Sequence, residues 1–526
     1  MRGSTGGSTD LGLPMTTAYA PAVAVPHAPT APRGVRRYGD AIAIGVAATL
    51  ISAAWSWVPA VWRDEVATIA AATRSWSAFA GLIQQTDVVH ALYYAGMHLW
   101  FALVGYTPFT LRLPSALAVG ATAAAVTILG RSLAGRWVGL ASGIVAAVLP
   151  SLVWAGGEGR SFAFTALFAT LATGALLHAL RTTPGRTGWA LVAPWVAYGA
   201  LLALSVAVFV DSLLLGVAHL VTALLLGGRR VLVPLGAALA AAAVVVAPLL
   251  IMAAGQTGQI SWISSLTWRS TPHQVAVGQW FRTDLVAWVA LALVVAGTVL
   301  GLIRAGREVS RTGLSVLAVA LPWAVLPPLA LLVVSLVASP MYVTRYLTFT
   351  TPAVALILGL AAAALPRPLT IVALVLLAAV AVPQIVVDRS PRAKDRSDLS
   401  LAADLVASAR ASDPERTPAG IVYGDYHTFG SMTTSVVEIA YPSAFRGLTD
   451  LTALRPITSS DTAREPRTTV GAAVPKMRRL NTVWFLLTTD APPHGLRIPA
   501  AKLRGLGFKE TGDYHVARVR LVRWSR

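Results

Sequence analysis

From Ala41 to Val387 the chain is a succession of apolar runs, most of them about 18–25 residues long and nearly free of charge. A run of that length can cross the hydrocarbon core as a helix, because a helix satisfies its own backbone N–H and C=O groups where no water can. The runs are 41–62, 111–129, 137–154, 161–180, a 38-residue block 189–226, then 231–254, 284–303, 314–338, 346–365 and 369–387. The block 189–226 is long enough for two passes with a tight hairpin near Asp211. The run 91–105 is short for a span, and its aromatics suit an interfacial or partly inserted helix. Only 12% of the chain is charged, against about 25% in a soluble domain. The expected fold is an α-helical polytopic membrane protein of about eleven spans, followed by a small C-terminal external α/β domain.

Arginines set the expected orientation. With residues 91–105 not crossing and the N-terminus cytoplasmic, the inner loops hold Arg131, Arg136, Arg181, Arg186, Arg229, Arg230, Arg304, Arg307, Arg311 and Arg367, with Glu308 as their one acid. That is the positive-inside pattern. The opposite side then receives Asp64, Glu65, Asp87, Glu158, Asp211 and Asp284, six of the nine acids found before residue 388. For Asp211 and Asp284 a polar loop end explains the residue as well as a function does.

The flanks differ from the membrane part. Residues 1–39 are rich in Gly, Ser, Thr, Pro and Ala without periodicity, which predicts a disordered cytoplasmic tail. Arg33, Arg36 and Arg37 precede the first run, as in an uncleaved signal anchor. Residues 388–526 carry 14 acids and 21 bases, near an ordinary soluble balance. Within them SDLSLAADLVASARA reads as a helix, and GIVYGD, TVWFLLTTD and YHVARVRLVRW read as strands. There is no cysteine, which excludes disulfides and Cys-ligated metals.

Three stretches mix charge with aromatics at membrane depth on the expected outer side: RDE at 63–65 with HALYY at 90–94, GGEGRSFAF at 156–164, and SPMYVTRYL at 339–347. A partly desolvated carboxylate there can take a proton, and an arginine there can bind phosphate through its planar fork. Asp64, Glu158, Arg160 and Arg345 meet those two needs at the membrane edge.

In order along the chain come RDEVA, HALYY, GYTPFTLRLPSALAVG, GEGRSFAF and TRYL. This ordered set resembles the integral-membrane GT-C glycosyltransferases, in particular the family 39-like branch of protein O-mannosyltransferases and bacterial aminoarabinose transferases. Ala91 stands where that branch usually has proline, and Gly159 and Phe162 replace its common Ala and Tyr. The resemblance implies transfer of one sugar, with inversion, from a polyprenyl-phosphate donor to an acceptor hydroxyl on the external face of the plasma membrane. Mannose is the favoured sugar and arabinose the next. The acceptor is a glycolipid, a glycan or a protein, and the only other partners are membrane lipids, with no nucleic acid.

Asp64 is the expected catalytic base, against a helix cap or a solvated boundary charge. Glu65, Glu158 and His90 are expected in support. Glu158 and Arg160 could instead pair with each other, and His90 could be an ordinary interfacial hydrogen-bonding group. Arg160, Arg345 and Tyr346 are expected at the donor phosphate and sugar, with interfacial snorkelling the alternative for Arg345. Trp262, Trp268 and Trp280 could stack on sugar or sit in an aromatic belt, and His427 could line the acceptor side. No cofactor is assigned. The adjacent Asp64 and Glu65 could hold a divalent cation, but no further ligand cluster accompanies them, so no metal site is expected. A secondary transporter or lipid flippase is the rival class. Such proteins carry ionisable groups near the bilayer midplane within repeated halves, whereas here the spans are nearly uncharged and no repeat is visible.

Overall fold

The computed structural model describes residues 38–304, 307–411, 418–424, 433–463, 465–489 and 494–526, the side chains of 307–312 and 494–499 excepted. The tail 1–37, His427 and the side chains of Arg307, Glu308 and Arg311 therefore lie outside the described residues.

The chain is a multi-pass helical membrane protein with a small α/β domain at its C-terminus. Eight described helices are long and apolar enough to cross a bilayer, or nine if the bent pair Arg136–Val148 and Pro150–Gly156 counts as one span. The 59° bend between that pair falls at Leu149, where Pro150 forces the preceding residue out of the helical region. The expected count of about eleven is not confirmed, for two reasons.

First, the run 41–62 forms a helix only over Gly39–Ala53. Arg389 donates to the Ser52 and Ala54 carbonyls at 2.7 and 2.9 Å, taking up acceptors that a further turn would have used. The chain then turns and runs on to Trp62. Second, Val210–Ala254 counts as one 45-residue stretch. It breaks at Gly228, whose φ of +63° favours glycine, and Gly216 lies against Leu239, so the two halves fold back on each other. The first half, Leu214–Gly227, has 14 residues and is extended by the short turns Val210–Leu213 and Gly228–Val231.

The arginine-bearing helix ends share one end of the bundle. Asp40 pairs with Arg131 and Arg136 at 3.0 and 2.7 Å. Arg181 donates to the Ser132 carbonyl, Arg367 sits over the Trp137 ring, and Arg304 donates to the Ala364 carbonyl. The far end carries the first long loop, residues 54–107, and the C-terminal domain.

That loop is mostly helical: Arg63–Ala72, Trp76–Gln85 capped by Ser75, and Ala91–Val104. Pro108 at the first helical position and the reciprocal Thr107–Thr110 capping box then start the next long helix, Pro108–Ala134. The C-terminal domain has a five-stranded sheet: β1 (Ala419–Tyr423), β2 (Leu448–Asp450), β3 (Thr482–Thr488), β4 (Lys509–Val516) and β5 (Val519–Ser525). Its order is β2-β1-β3-β5-β4, with β1 parallel to β2 and β3, and β5 antiparallel to β3 and β4. The expected single strand YHVARVRLVRW is thus a hairpin turning at Ala517, which adopts φ +49°.

The loop helices and the domain share one apolar core. Phe79, Leu82, Tyr94 and Phe101 from the loop join Leu399, Val437, Phe445 and Trp484 from the domain. Polar contacts fix the register: Tyr106 donates to the Ala440 carbonyl at 2.7 Å, Ser397 to the Val61 carbonyl at 2.6 Å, and the buried Arg74 to the Ser460 and Thr462 carbonyls, both at 2.9 Å.

Candidate active site

A cavity of about 900 Å³ lies where the loop helices, the membrane helices and the domain meet. Asp64, His90 and Arg160 line one side, Phe209 and Asp211 the membrane side, and Arg345 with Tyr346 another. Ser435 and Ile439 of the domain close it from the far side.

Asp64 and Glu65 are adjacent in the first turn of a helix, where carboxylates suit the helix dipole, and they have separate surroundings. Asp64 faces the cavity, 3.5 Å from the Arg345 guanidinium and 3.8 Å from Arg63. Its side chain keeps 16% of its surface exposed. Glu65 is fully buried. It accepts from Arg112 at 2.6 and 2.8 Å, from Lys394 at 2.9 Å and from the Gly159 N–H at 2.8 Å. Burial opposes its ionisation, but Arg112 and Lys394 outweigh that cost and hold its carboxyl down at about 2. The two acids do not converge on one point, and no described group of three or more His, Asp or Glu side chains is arranged to hold a metal.

Glu158 belongs to the same buried cluster, not to the cavity lining. It accepts from Trp62 Nε1 at 2.9 Å and pairs with Lys394 at 2.7 Å. Burial pushes its carboxyl above the usual range and the neighbouring Glu65 adds to this, with Lys394 opposing. The alternative in which Glu158 pairs with Arg160 is overturned: Arg160 turns into the cavity, donating to Tyr94 Oη at 2.7 Å and to the Asp64 carbonyl at 3.1 Å. Its Nη2 also lies 2.7 Å from His90 Nε2. A guanidinium cannot accept, so His90 Nε2 is the acceptor and Nδ1–H faces Ser161 Oγ at 3.2 Å. Burial and the charges of Arg160 and Arg345 push the imidazole well below its usual value, which keeps it neutral.

Arg345 is enclosed by the rings of Trp262, Tyr346 and Trp62, at 5.3, 5.5 and 5.7 Å. Its Nε and that of Arg160 are buried without an acceptor among the described residues. Buried donors of this kind call for a partner. Of the three tryptophans in the 255–283 loop, Trp262 lines the cavity, Trp268 is exposed, and Trp280 donates to Thr350 Oγ1. Asp284 pairs with His273 at the surface.

Sequence reasoning placed Asp64, His90, Arg160, Arg345 and Tyr346, and the fold gathers all five around one cavity. It assigned no role to Arg112, Lys394 or Asp211. Arg112 lies inside the LRLPSAL segment, where a lone arginine buried in a span was the available signal. Lys394 is one of four lysines in the chain and stands in no periodic pattern.

No protein-family model matches the chain, and no curated protein matches it by sequence. Among solved structures it is similar to ArnT from Cupriavidus metallidurans in the apo state, with TM-score 0.58 and 12% identity over 92% of this chain and 97% of that one. ArnT bound to undecaprenyl phosphate gives 0.53 at 14% identity, over the same shares of both chains. The arabinofuranosyltransferase AftD from Mycobacteria gives 0.51 at 14% identity, over 94% of this chain and 40% of that one. These neighbours are GT-C glycosyltransferases. At such identities the likeness is one of architecture, and the chain has a GT-C-like fold.

Proposed function

We propose that the chain is a membrane glycosyltransferase that moves a sugar from a polyprenyl-phosphate donor to an acceptor hydroxyl. The observation that carries this reading is the pairing, in one cavity at the membrane end of the C-terminal domain, of the Asp64 carboxylate with Arg345. One of the similar structures, ArnT, holds undecaprenyl phosphate, a ligand of the class required.

Arg345 and Arg160, which both line the cavity, receive the donor phosphate on their guanidinium N–H groups. This contact draws Arg345 from Asp64 and leaves the carboxylate oxygens to the acceptor. The acceptor oxygen attacks the anomeric carbon from the face opposite the phosphate. As that bond forms, the bond from carbon to phosphate oxygen breaks, the hydroxyl proton passes to Asp64, and the polyprenyl phosphate leaves with the electron pair. One displacement of this kind inverts the anomeric centre. His90, neutral and accepting from Arg160, orients the guanidinium, while Glu65 and Glu158 hold the loop that carries Asp64. Mannose is the favoured sugar and arabinose the next, with a glycolipid, glycan or protein as acceptor. We place the cavity on the external face of the plasma membrane, because the arginine loops occupy the opposite end of the bundle.

The test is incorporation of label from polyprenyl-phosphate mannose and from the arabinose lipid into envelope material by membranes containing the protein. Transfer that disappears with Asp64→Asn supports the reading. No transfer from either lipid by the wild type rejects it.

A further inference from the structure

Asp211 sits in the short turn Val210–Leu213 between two membrane helices, with valine and leucine around it. The turn packs against the 344–350 segment that bears Arg345 and Tyr346, and Asp211 lines the same cavity as Asp64. Its carboxylate has no ion pair and no hydrogen bond among the described residues, and it caps neither flanking helix. Taking a carboxylate even partly out of water without a partner is costly, and acids kept at membrane depth mark ligand paths. A polar loop end would stand free in solvent or would cap a helix; Asp211 is half-buried in the cavity wall and caps neither helix.

The cavity wall two residues before it is aromatic. The Phe209 ring lies 5.0 Å from Tyr346, 5.2 Å from His90 and 5.9 Å from Phe162. Phe209, Tyr346 and His90 all line the cavity. Tyr346 is within electrostatic reach of Arg345, Asp64, Asp211 and Arg160, so one ring links the Asp211 turn to the arginine side of the cavity, and Asp211 is paired with neither arginine. A sugar ring offers an apolar C–H face and hydroxyl donors at its edge. An aromatic wall beside an acceptor-only group is the complementary surface.

We propose that Asp211 is a sugar-binding residue. With the Phe209, His90 and Tyr346 wall it forms the glycosyl subsite of the donor, accepting from two neighbouring ring hydroxyls on its two oxygens. The inference rests on the donor reading above and deepens it: the sugar must present adjacent hydroxyls toward the 209–213 turn, so Asp211 selects the donor by its sugar as Arg345 selects it by its phosphate.

The experiment compares two kinds of lipid on the purified full chain. Undecaprenyl-phosphate mannose and the arabinose lipid carry the sugar, and undecaprenyl phosphate lacks it. Asp211→Asn preserves shape but removes the charge and one acceptor. The expected result is a loss of about tenfold to a hundredfold in affinity for the sugar lipid, the range for hydrogen bonds to a charged group, with affinity for the sugar-free lipid unchanged. The melting temperature is expected to hold or rise, because a half-buried carboxylate without a partner is replaced; a structural role would lower it. Equal losses for both lipids, or no loss for either, overturn the subsite while leaving the donor reading standing. A wild-type protein that binds none of these lipids overturns both.

Discussion

Asp64 and Arg345 show how much one cavity can ask of two side chains. Asn at position 64 keeps the size of the carboxylate but cannot take a proton at neutral pH. Loss of a general base costs about 10²–10⁴ in rate, so Asp64→Asn is expected to bind the donor lipid nearly normally and turn over at least about a hundredfold more slowly in a single-turnover assay. Retention of more than about a third of the rate, where base loss predicts a hundredfold drop, would move the base to another carboxylate lining the cavity. Glu158 would not be that group, because Lys394 and Trp62 hold it outside. Arg345→Ala is expected to weaken donor binding by about 1.5–3 kcal/mol. Lys at the same position should restore only part of that, since the fork and its stacking on three rings are lost. Titration with undecaprenyl phosphate reads both variants, and unchanged affinity in the Ala protein would remove Arg345 from the phosphate site.

The loop helix Arg63–Ala72 is held by charge as well as by its apolar face. Glu65, Glu158, Arg112 and Lys394 form a buried cluster of two acids and two bases. Removing one member leaves an uncompensated charge, at a cost of roughly 3–5 kcal/mol. Lys394→Met is expected to lower thermal stability accordingly, and Lys394→Met with Glu158→Gln to recover much of the loss; equal destabilisation in the double variant would refute the account. The cluster also predicts acid sensitivity. Glu65 falls from the ordinary 4.5 to about 2 in the folded state. A depressed carboxyl stabilises the fold fully above about 4.5 and loses that contribution as pH falls toward about 2. Glu158, raised by burial, acts in the opposite sense, so Glu65→Gln isolates the effect. Unfolding followed against pH should be flatter in that variant across this window.

At the scale of the molecule, the arginine loops and the cavity occupy opposite ends of one bundle, so the orientation of the whole chain decides which side of the membrane the proposed chemistry faces. The chain has no cysteine, and single cysteines can be introduced without background. Arg229 and Ser443 are exposed on the two ends. A membrane-impermeant maleimide on intact cells is expected to label Ser443→Cys and to spare Arg229→Cys until the membrane is opened. Labelling of position 229 alone would invert the orientation and place the cavity in the cytoplasm.

Hydropathy alone determined that the chain is a membrane helical bundle, since long uncharged runs have no other stable home. Motif order was enough to assemble Asp64, His90, Arg160, Arg345 and Tyr346 as one set, because local pattern carries residue type and membrane depth. Adjacent residues were another matter. Asp64 is the expected base and Glu65 the expected support, but only packing shows what Glu65 is held by: Arg112 and Lys394, residues 47 and 329 positions away. The span count turned on similar facts. Arg389, 337 positions from the Ser52 carbonyl it caps, ends the first helix early, and the break at Gly228 folds the Val210–Ala254 stretch back on itself. Asp211 was visible only as a loop acid, and its bare carboxylate came into view once the turn was set against the 344–350 segment. Contacts of that range are set by the closing of the whole chain, which no local period records.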